Sequence, residues 1–222
     1  MFAPSYPITM QPLRKPQVAA TAAMLAQAFD DDPAYRYLFS SPASRQKRLS
    51  DFFERNLRSH LPFECTQVAV DAGGAVLGTV TVRPLGGIHV AATTMLWELL
   101  PFLTRHGLGP VRRMFWLKRT YDELEARAAQ HSLHRHVHMM AIIPAGQGTG
   151  IGSALLGDAL MHARKSDPQT GSPPAPTVVT THFKRNLGFY QRAGFEVIAE
   201  DRLAPPGGDP YTVWSMRTTT PG

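Results

Sequence analysis

Four glycines occupy every second position of a short segment between an apolar run and a segment with helical periodicity: Gly146, Gly148, Gly150 and Gly152. A glycine has no Cβ, so the chain can adopt positive φ angles and present its amide N–H groups to a ligand. The helix that follows adds the positive end of a helix dipole. These features favour a site for a phosphate or another anion, although a tight strand-to-helix turn would use the same glycines.

The spacing of these glycines excludes two common phosphate-binding motifs. A dinucleotide fingerprint requires a glycine where this chain has Ile151, Ser153 or Leu155, depending on which glycine is taken as the first. A Walker loop requires Gly-Lys-Ser/Thr, and no lysine follows any of the four glycines. The segment from Gln147 to Gly152 instead reads Gln/Arg-x-x-Gly-x-Gly/Ala. In this it resembles the loop that binds the acyl-CoA pyrophosphate in the GNAT N-acetyltransferases.

Two histidines in the run before the loop are candidates for acid–base chemistry. His136 and His138 are two residues apart, so in a strand both side chains would lie on one sheet face, the same face as Ile142. Imidazole titrates near neutral pH and can accept a proton from an ammonium group, directly or through water. With nine histidines in the chain, a structural role is the alternative. A zinc site is rejected, because no further ligands occur at recognisable spacing from this pair.

Hydrophobic periodicity predicts the elements that would position these residues. Helices are predicted at residues 18–29, 42–60, 93–130 with interruptions, 152–163 and 185–194. Strands are predicted at residues 64–70, 75–82, 134–143, 177–182, 195–204 and 211–217. Because the predicted order is strand, glycine loop and then helix, it matches the order that an anion site requires. The whole pattern predicts one mixed α/β domain with a helical insertion near its middle.

A second motif lies in the C-terminal third of the chain. A predicted strand precedes an Asn-x-x-Phe-Tyr-x-x-x-Gly-Phe sequence that runs from Asn186 to Phe195. It resembles the C-terminal half of the GNAT fold and follows the glycine loop in that family's order. Within the family, "AFDDDPAYRY", "RNLGFYQRAGF", the insertion and the final "WSMR" are most similar to the puromycin N-acetyltransferases. The resemblance extends over roughly residues 8–217.

The resemblance implies a fold class and a co-substrate. The implied fold is α/β (α+β), with a mixed, mainly antiparallel sheet flanked by helices and a helical insertion, about residues 93–130, before the central strand. It implies one acetyltransferase domain over residues 1–222. It also implies acetyl-CoA as co-substrate and no metal ion.

The resemblance further implies roles for individual residues. Main-chain groups of Ile142 and Ile143 would pair with the pantetheine arm like an added strand, with an amide facing the thioester oxygen. Asn186 would hydrogen-bond the same arm. Tyr190 would protonate the leaving thiolate as general acid, with core packing as the alternative. His136 falls where some family members carry a catalytic glutamate. The amides that would hold the pyrophosphate, and one hydroxyl that would join them, belong to Gln147, Gly148, Thr149, Gly150, Ile151, Gly152 and Ser153.

Composition narrows the class of protein. With 222 residues, of which 43% are apolar, the chain can bury one substantial core. Its net charge of +6 suits an acidic ligand such as CoA, nucleic acid or an anionic surface. The single cysteine, Cys65, cannot form an internal disulfide, which fits a reducing compartment. No signal peptide or membrane span is recognisable, so we expect a soluble cytoplasmic protein, monomeric or homodimeric.

The resemblance, with which these features agree, implies an acetyl-CoA-dependent N-acetyltransferase. It would transfer the acetyl group directly, in a ternary complex, to the primary amine of a small molecule such as an antibiotic or aminonucleoside. The alternatives are acetylation of a protein lysine or N-terminus, and a catalytically silent acyl-CoA-binding regulatory domain. Nucleic-acid binding through the basic stretch Arg105–Arg119 is disfavoured, because no nucleic-acid motif surrounds it. Asp30, Asp31 and Asp32 would attract a cationic amine or form a solvated helix end, and we favour the helix end.

Overall fold

A computed structural model describes residues 8–87, 101–165 and 175–218. The strands are β1 (Thr9–Pro12), β2 (Thr66–Val70), β3 (Val76–Arg83), β4 (Arg135–Ile142), β5 (Thr177–Thr181), β6 (Phe195–Leu203) and β7 (Tyr211–Thr218). The helices are α1 (Val18–Ala28), α2 (Pro33–Leu38), α3 (Pro42–His60), α4 (Leu108–Ala128), α5 (Ile151–Lys165) and α6 (Leu187–Arg192). Residues 101–106 are also helical.

The strands form one mixed sheet in the order β1-β2-β3-β4-β5-β7-β6. All neighbouring strands are antiparallel except β4 and β5, which are parallel. This parallel pair has only three residue pairs, and the last joins Val137 to Val179. Beyond it β4 runs on to Ile142 and β5 to Thr181 without pairing to each other. The two strands therefore separate, and a cleft opens in the middle of the sheet.

Local sequence accounts for where α2 and α3 begin. Both helices have proline as their first residue, where the fixed φ is favourable and the missing N–H is not needed. The Asp32 side chain accepts hydrogen bonds from the amides of Ala34 at 3.0 Å and Tyr35 at 3.4 Å, and so caps α2. Along α3, Leu49 and Phe53 lie on the apolar face and are fully buried.

Helices cover both faces of the sheet. On one face α1 and α3 pack around Leu25, Leu49 and Phe53, and this core also takes Met139 from β4. On the other face α5 packs against β2, β3 and β4 and α6 packs against β6, with Leu155 and Leu156 of α5 fully buried. A residue's sheet face therefore decides which helices it meets.

The insertion helix α4 packs at the cleft, against α2, β5 and β7. In its C-terminal half Leu124 and Ala128 are buried, while Met114, Leu117 and Tyr121 line a cavity described below. These five positions are the heptad-like stripe that the sequence presents. The stripe is thus part core and part cavity wall.

The predicted fold class is confirmed, as a mainly antiparallel sheet flanked by helices. Two short elements, β1 and α2, were not predicted, because four and six residues are too few for a periodic signal. The predicted insertion is helical from residue 101, while residues 93–100 lie outside the described residues. A single domain over residues 1–222 stays a prediction. In the described ranges no helix has both the length and the apolar character needed to cross a membrane.

Candidate active site

The glycine loop joins β4 to α5 through a turn that needs glycine at two positions. Gly148 has φ +76° and Gly150 has φ +91°, a backbone region that other residues rarely adopt. Residues 147–150 are exposed. The Thr149 hydroxyl donates a 2.7 Å hydrogen bond to the Gly146 carbonyl, which holds the turn together.

The loop leaves a run of amide N–H groups available. The first bond of α5 runs from the Ala154 amide to the Gly150 carbonyl, so the amides of its first turn have no intrahelical partner. In the part of the chain that the structure describes, the amides from Gly148 to Gly152 have no other backbone partner. Gln147 differs, because its amide donates to the Pro144 carbonyl at 3.2 Å. Its side chain donates to the Ile142 carbonyl at 3.2 Å, so it braces the loop.

The end of β4 presents a different set of main-chain groups from the predicted one. The Ile143 amide donates to the Leu77 carbonyl, and the Ile143 carbonyl accepts from the Gly146 amide, both at 2.9 Å. Both main-chain groups of Ile143 thus have partners within the fold, and the pairing of Ile143 with a ligand stays a prediction. Because main-chain groups alternate sides along a strand, those of Ile142 and Met140 face away from β3 and toward the cleft.

A β-bulge in β4 also overturns the predicted face of the two histidines. Thr81 of β3 pairs with Met139 and Val82 pairs with Val137, so His138 is an extra residue in β4. The extra residue reverses the alternation. Val137 therefore shares the α5 face with Ile142. His136 and His138 instead face α3 and α4.

His138 sits in a buried basic cluster. Its ring stacks on His60 of α3 with centroids 5.5 Å apart, and its Nε2 lies 3.1 Å from a guanidinium nitrogen of Arg83. Because a guanidinium only donates, His138 Nε2 accepts this bond and the ring is neutral. Burial first, and then the charge of Arg83, hold the pKa of His138 well below its ordinary value. Burial likewise lowers the pKa of His60 to about 4.

His136 sits beside a carboxylate of α4. Its Nδ1 lies 2.9 Å from one Glu125 oxygen, a close contact without hydrogen-bond geometry. His134 Nε2 lies 2.9 Å from the other oxygen. Burial alone would raise the pKa of Glu125, but the bond from His134 and the contact with His136 outweigh it and hold this pKa well below its ordinary value. Glu125 is therefore an anion shared by two imidazoles.

The second motif places two predicted residues at the cleft. The Asn186 side-chain amide donates to the Thr181 hydroxyl at 3.0 Å, beside the end of β5. Tyr190 is 8% exposed, and its ring packs edge-on against Phe189 and Phe195. Burial raises the pKa of Tyr190 to about 12, so its hydroxyl keeps its proton at neutral pH.

A hydrogen-bonded chain that the sequence did not predict begins directly after β5. His182 follows the last residue of β5, and its Nδ1 lies 2.6 Å from Asp32 Oδ2. Its Nε2 lies 2.5 Å from the Tyr121 hydroxyl, which lies 3.2 Å from the Tyr211 hydroxyl. Asp32 is 3% exposed, so the expectation of a solvated helix end is wrong for this aspartate. A polar residue directly after a buried strand was the available signal for His182.

These groups surround one cavity of about 390 Å³ at the cleft. Tyr190, Asn186, His136 and His138 all line it, as do the members of the chain just described apart from Tyr211. The glycine loop lies outside this lining. The apolar part of the wall is formed by Phe29, Tyr35, Leu38, Phe52, Met114 and Leu117. Among the described residues, no group of three His, Cys, Asp or Glu side chains is placed to hold a metal ion.

Comparison with known proteins gives the family of the central part of the chain. Residues 114–197 match the family model of the acetyltransferase (GNAT) domain. This range contains the glycine loop, both motif residues and four of the five histidines described above. The match identifies a GNAT acetyltransferase domain, and with it an enzyme of the acyltransferase class. No curated protein sequence matches the chain.

Solved structures with a similar fold extend over nearly the whole chain. The histone acetyltransferase HPA2 and related acetyltransferase from Corynebacterium glutamicum is 17% identical, with 95% of each chain covered and a TM-score of 0.64. An agmatine N-acetyltransferase is 16% identical, covers 95% of this chain and 98% of its own, and has a TM-score of 0.60. The mosquito arylalkylamine N-acetyltransferase-like 5b is 14% identical, with 96% of this chain and 99% of its own covered, and also has a TM-score of 0.60. At these identities the likeness establishes the shared fold.

Proposed function

We propose that this protein transfers the acetyl group of acetyl-CoA to the primary amine of a small molecule, by direct transfer in a ternary complex. The observation that carries the proposal is the alignment of three features along one path. A loop with available amides leads to a cleft edged by main-chain groups of β4, and the cleft leads to a cavity with acid–base side chains.

The donor site is the glycine loop and the cleft. Available amides at a helix N-terminus favour a pyrophosphate, and the five from Gly148 to Gly152 fit that group. The Ser153 side chain is exposed next to them and would add a hydroxyl. Gln147 acts by bracing the loop. The cleft-facing groups of Met140 and Ile142 would pair with an extended amide-containing arm, as a further strand would.

The residues at the end of that arm supply the acid. An amide of β4 would stabilise the developing oxyanion on the thioester oxygen. Asn186 would orient the arm beside β5. Tyr190, which retains its proton, would donate it to sulfur as the C–S bond breaks.

The two predicted bases differ in fitness for the role. His138 has its Nε2 lone pair engaged by Arg83 and its pKa depressed, so it is a poor proton acceptor. His136 instead has a carboxylate neighbour, since its Nδ1 lies 2.9 Å from an oxygen of Glu125. Of these two histidines, we propose His136 as the better base.

The cavity indicates an acceptor with an apolar body and a cationic amine. Phe29, Tyr35 and Phe52 offer aromatic faces, with ring centroids 5.3 Å apart for the first two and 6.0 Å for the last two. Carboxylates of Asp32 and Glu125 lie in the same wall and would attract an ammonium group. Two proteins of similar structure are named as an agmatine N-acetyltransferase and an arylalkylamine N-acetyltransferase-like protein. Puromycin stays among the amines to be tested, because of the sequence likeness.

The competing functions are less well supported. The basic stretch on α4 is largely engaged within the fold, since Arg113 donates to the Tyr37 carbonyl at 3.2 Å and Lys118 pairs with Asp122 at 2.7 Å. That weakens the case for nucleic acid. A silent acyl-CoA-binding domain would not need the acid–base groups around the cavity. Cys65 is free and buried, which agrees with a reducing cytoplasm, while the choice between monomer and homodimer stays a prediction.

The test is a two-stage measurement on the full-length protein. Calorimetric titration with acetyl-CoA, with NAD as the control ligand, should show binding of acetyl-CoA alone. Thiol release is then measured with agmatine, 2-phenylethylamine, puromycin and a lysine peptide. Release with a small amine but not the peptide is expected. Binding without release by any amine would favour the silent domain, and absence of binding would overturn the donor site.

A further inference from the structure

We propose that the proton of the acceptor ammonium leaves through a relay of Tyr121, His182 and Asp32. The inference rests on the proposed function, because it assigns a route to a proton that amine acetylation must remove. Tyr121 is the residue that would touch the acceptor. His182 and Asp32 would act through it.

Hydrogen-bond directions define the relay. Asp32 Oδ1 is occupied by the amides that begin α2, which leaves Oδ2 to accept from His182 Nδ1 at 2.6 Å. With Nδ1 protonated, neutral His182 has its lone pair at Nε2, 2.5 Å from the Tyr121 hydroxyl. Tyr121 therefore donates to His182. It accepts from Tyr211 at 3.2 Å and keeps a second lone pair for a proton from the cavity.

The surroundings favour this direction of transfer. Asp32 is 3% exposed and the His182 side chain is 11% exposed, so the charge of an imidazolium would be compensated by the carboxylate rather than by water. Burial first, and then Tyr211, raise the pKa of Tyr121 well above its ordinary value, so Tyr121 passes a proton on without resting as a phenolate. Three other charged groups of α4 line the cavity: Lys118 and Asp122 pair with each other at 2.7 Å, and Glu125 is bound by His134 at 2.9 Å.

The proton balance closes with one proton released. Tyr121 takes a proton from R–NH₃⁺ and gives its own to His182 Nε2, so a neutral amine and an imidazolium form. The amine nitrogen forms the bond to the acetyl carbon, and the C–S bond breaks. Tyr190 gives its proton to sulfur and is restored by the second amine proton. His182 then returns its proton to solvent, so the overall products are amide, CoA thiol and one H⁺.

His136 offers a weaker version of the same arrangement. Its carboxylate partner, Glu125, also binds His134 at 2.9 Å, so one anion serves two imidazoles. Its contact lacks hydrogen-bond geometry, whereas that of His182 to Asp32 has it. His182 therefore differs from His136 in having a carboxylate, Asp32, that binds no second imidazole, and a phenol, Tyr121, that lines the cavity.

The experiment compares substitutions on acceptors of different basicity. Tyr121→Phe and His182→Asn should lower kcat with 2-phenylethylamine by roughly 10²- to 10⁴-fold and leave acetyl-CoA affinity within about twofold. The loss should shrink at high pH and with a β-fluorinated analogue, because a more acidic ammonium supplies neutral amine without help. Tyr37→Phe, which removes a phenol bonded to the Pro206 carbonyl at 3.3 Å, is the matched control and should keep its rate.

The outcomes distinguish a failure of the relay from a failure of the proposed acetyltransferase function. Tyr121→Phe keeps the ring, so the acceptor comparison can be made on a folded variant even if His182→Asn is unstable. Equal losses with both acceptors at every pH would show a structural role and overturn the relay. The relay would also be overturned if His136→Asn lost the acid limb of the pH profile of kcat/KM while Tyr121→Phe and His182→Asn kept it. If the wild-type protein releases no thiol with any amine, the proposed function fails and the relay fails with it.

Discussion

Replacing Gly150 with alanine tests whether the loop conformation and donor binding are linked. Gly150 has φ +91°, and a Cβ placed there would meet nothing within 4 Å. The whole penalty is therefore conformational, roughly 1 to 2 kcal/mol for a non-glycine residue in the left-handed region. If the loop keeps its shape, this penalty appears in the free energy of unfolding. If the loop relaxes, its amides move and acetyl-CoA affinity falls instead, by about 5- to 30-fold for the same free energy.

The matched control is Gly157→Ala, seven residues further along in α5. Gly157 is exposed, and a Cβ there also meets nothing within 4 Å. Its conformation is helical, so alanine should stabilise the protein by about 1 kcal/mol and leave acetyl-CoA affinity unchanged. If the loop keeps its shape, the two variants should thus differ by about 2 to 3 kcal/mol in the free energy of unfolding. If the loop relaxes, part of this difference should appear instead as weaker binding of acetyl-CoA by Gly150→Ala.

Urea denaturation and calorimetric titration with acetyl-CoA measure the two quantities on the same preparations. A Gly150→Ala protein as stable as the wild type, with unchanged acetyl-CoA affinity, would refute the loop geometry. A Gly157→Ala protein with weakened affinity would show that α5 tolerates no substitution, and the comparison would then carry no information about Gly150.

Three further predictions concern the cavity and its borders. Tyr190→Phe should lower turnover more than acetyl-CoA affinity, measured by steady-state thiol release and calorimetry, and unchanged turnover would exclude Tyr190 as the acid. His138→Ala should leave the pH dependence of kcat/KM unchanged, because Arg83 keeps that ring neutral, and a lost acid limb would contradict this. For His60 the unfolded pKa is 6.5 and the folded pKa about 4, so protonation favours the unfolded chain as pH falls between these values. Denaturation at pH 7 and pH 5 should show that wild type loses about 2 kcal/mol more than His60→Gln, and equal losses would contradict the burial of this ring.

Short-range sequence signals predicted the helices and strands around the glycine loop well. The helix before Pro33, the hairpin, the helix from Pro42 to His60 and the order of strand, loop and helix all follow from periodicity and turn residues. The glycine loop is local as well. Its six residues contain the conformational requirements that the structure displays at Gly148 and Gly150.

The side chains around the cavity are placed by contacts that periodicity does not encode. One extra residue at His138 reversed the strand alternation, and no residue type marks a bulge of this kind. The sequence suggested a solvated helix end at Asp32, but one oxygen of this buried side chain caps α2 and the other binds a histidine 150 residues away. Such a pairing follows from how α2 meets the end of β5. Tyr121 looked like one more position in a packing stripe for the same reason.

The short pairing of β4 with β5, only three residue pairs, makes this the most flexible connection within the sheet. A four-stranded half, β1 to β4, and a three-stranded half, β5 to β7, are connected there by a ladder shorter than either neighbouring one. A sheet flexes most easily where its ladder is shortest, since fewer hydrogen bonds resist the motion. An extended ligand lying between the separated strands would contact both β4 and β5 and restrict the motion of one half of the sheet relative to the other. If acetyl-CoA binds there as proposed, the sheet would be most rigid in the complex. It would be most flexible after CoA has dissociated and before the next acetyl-CoA binds.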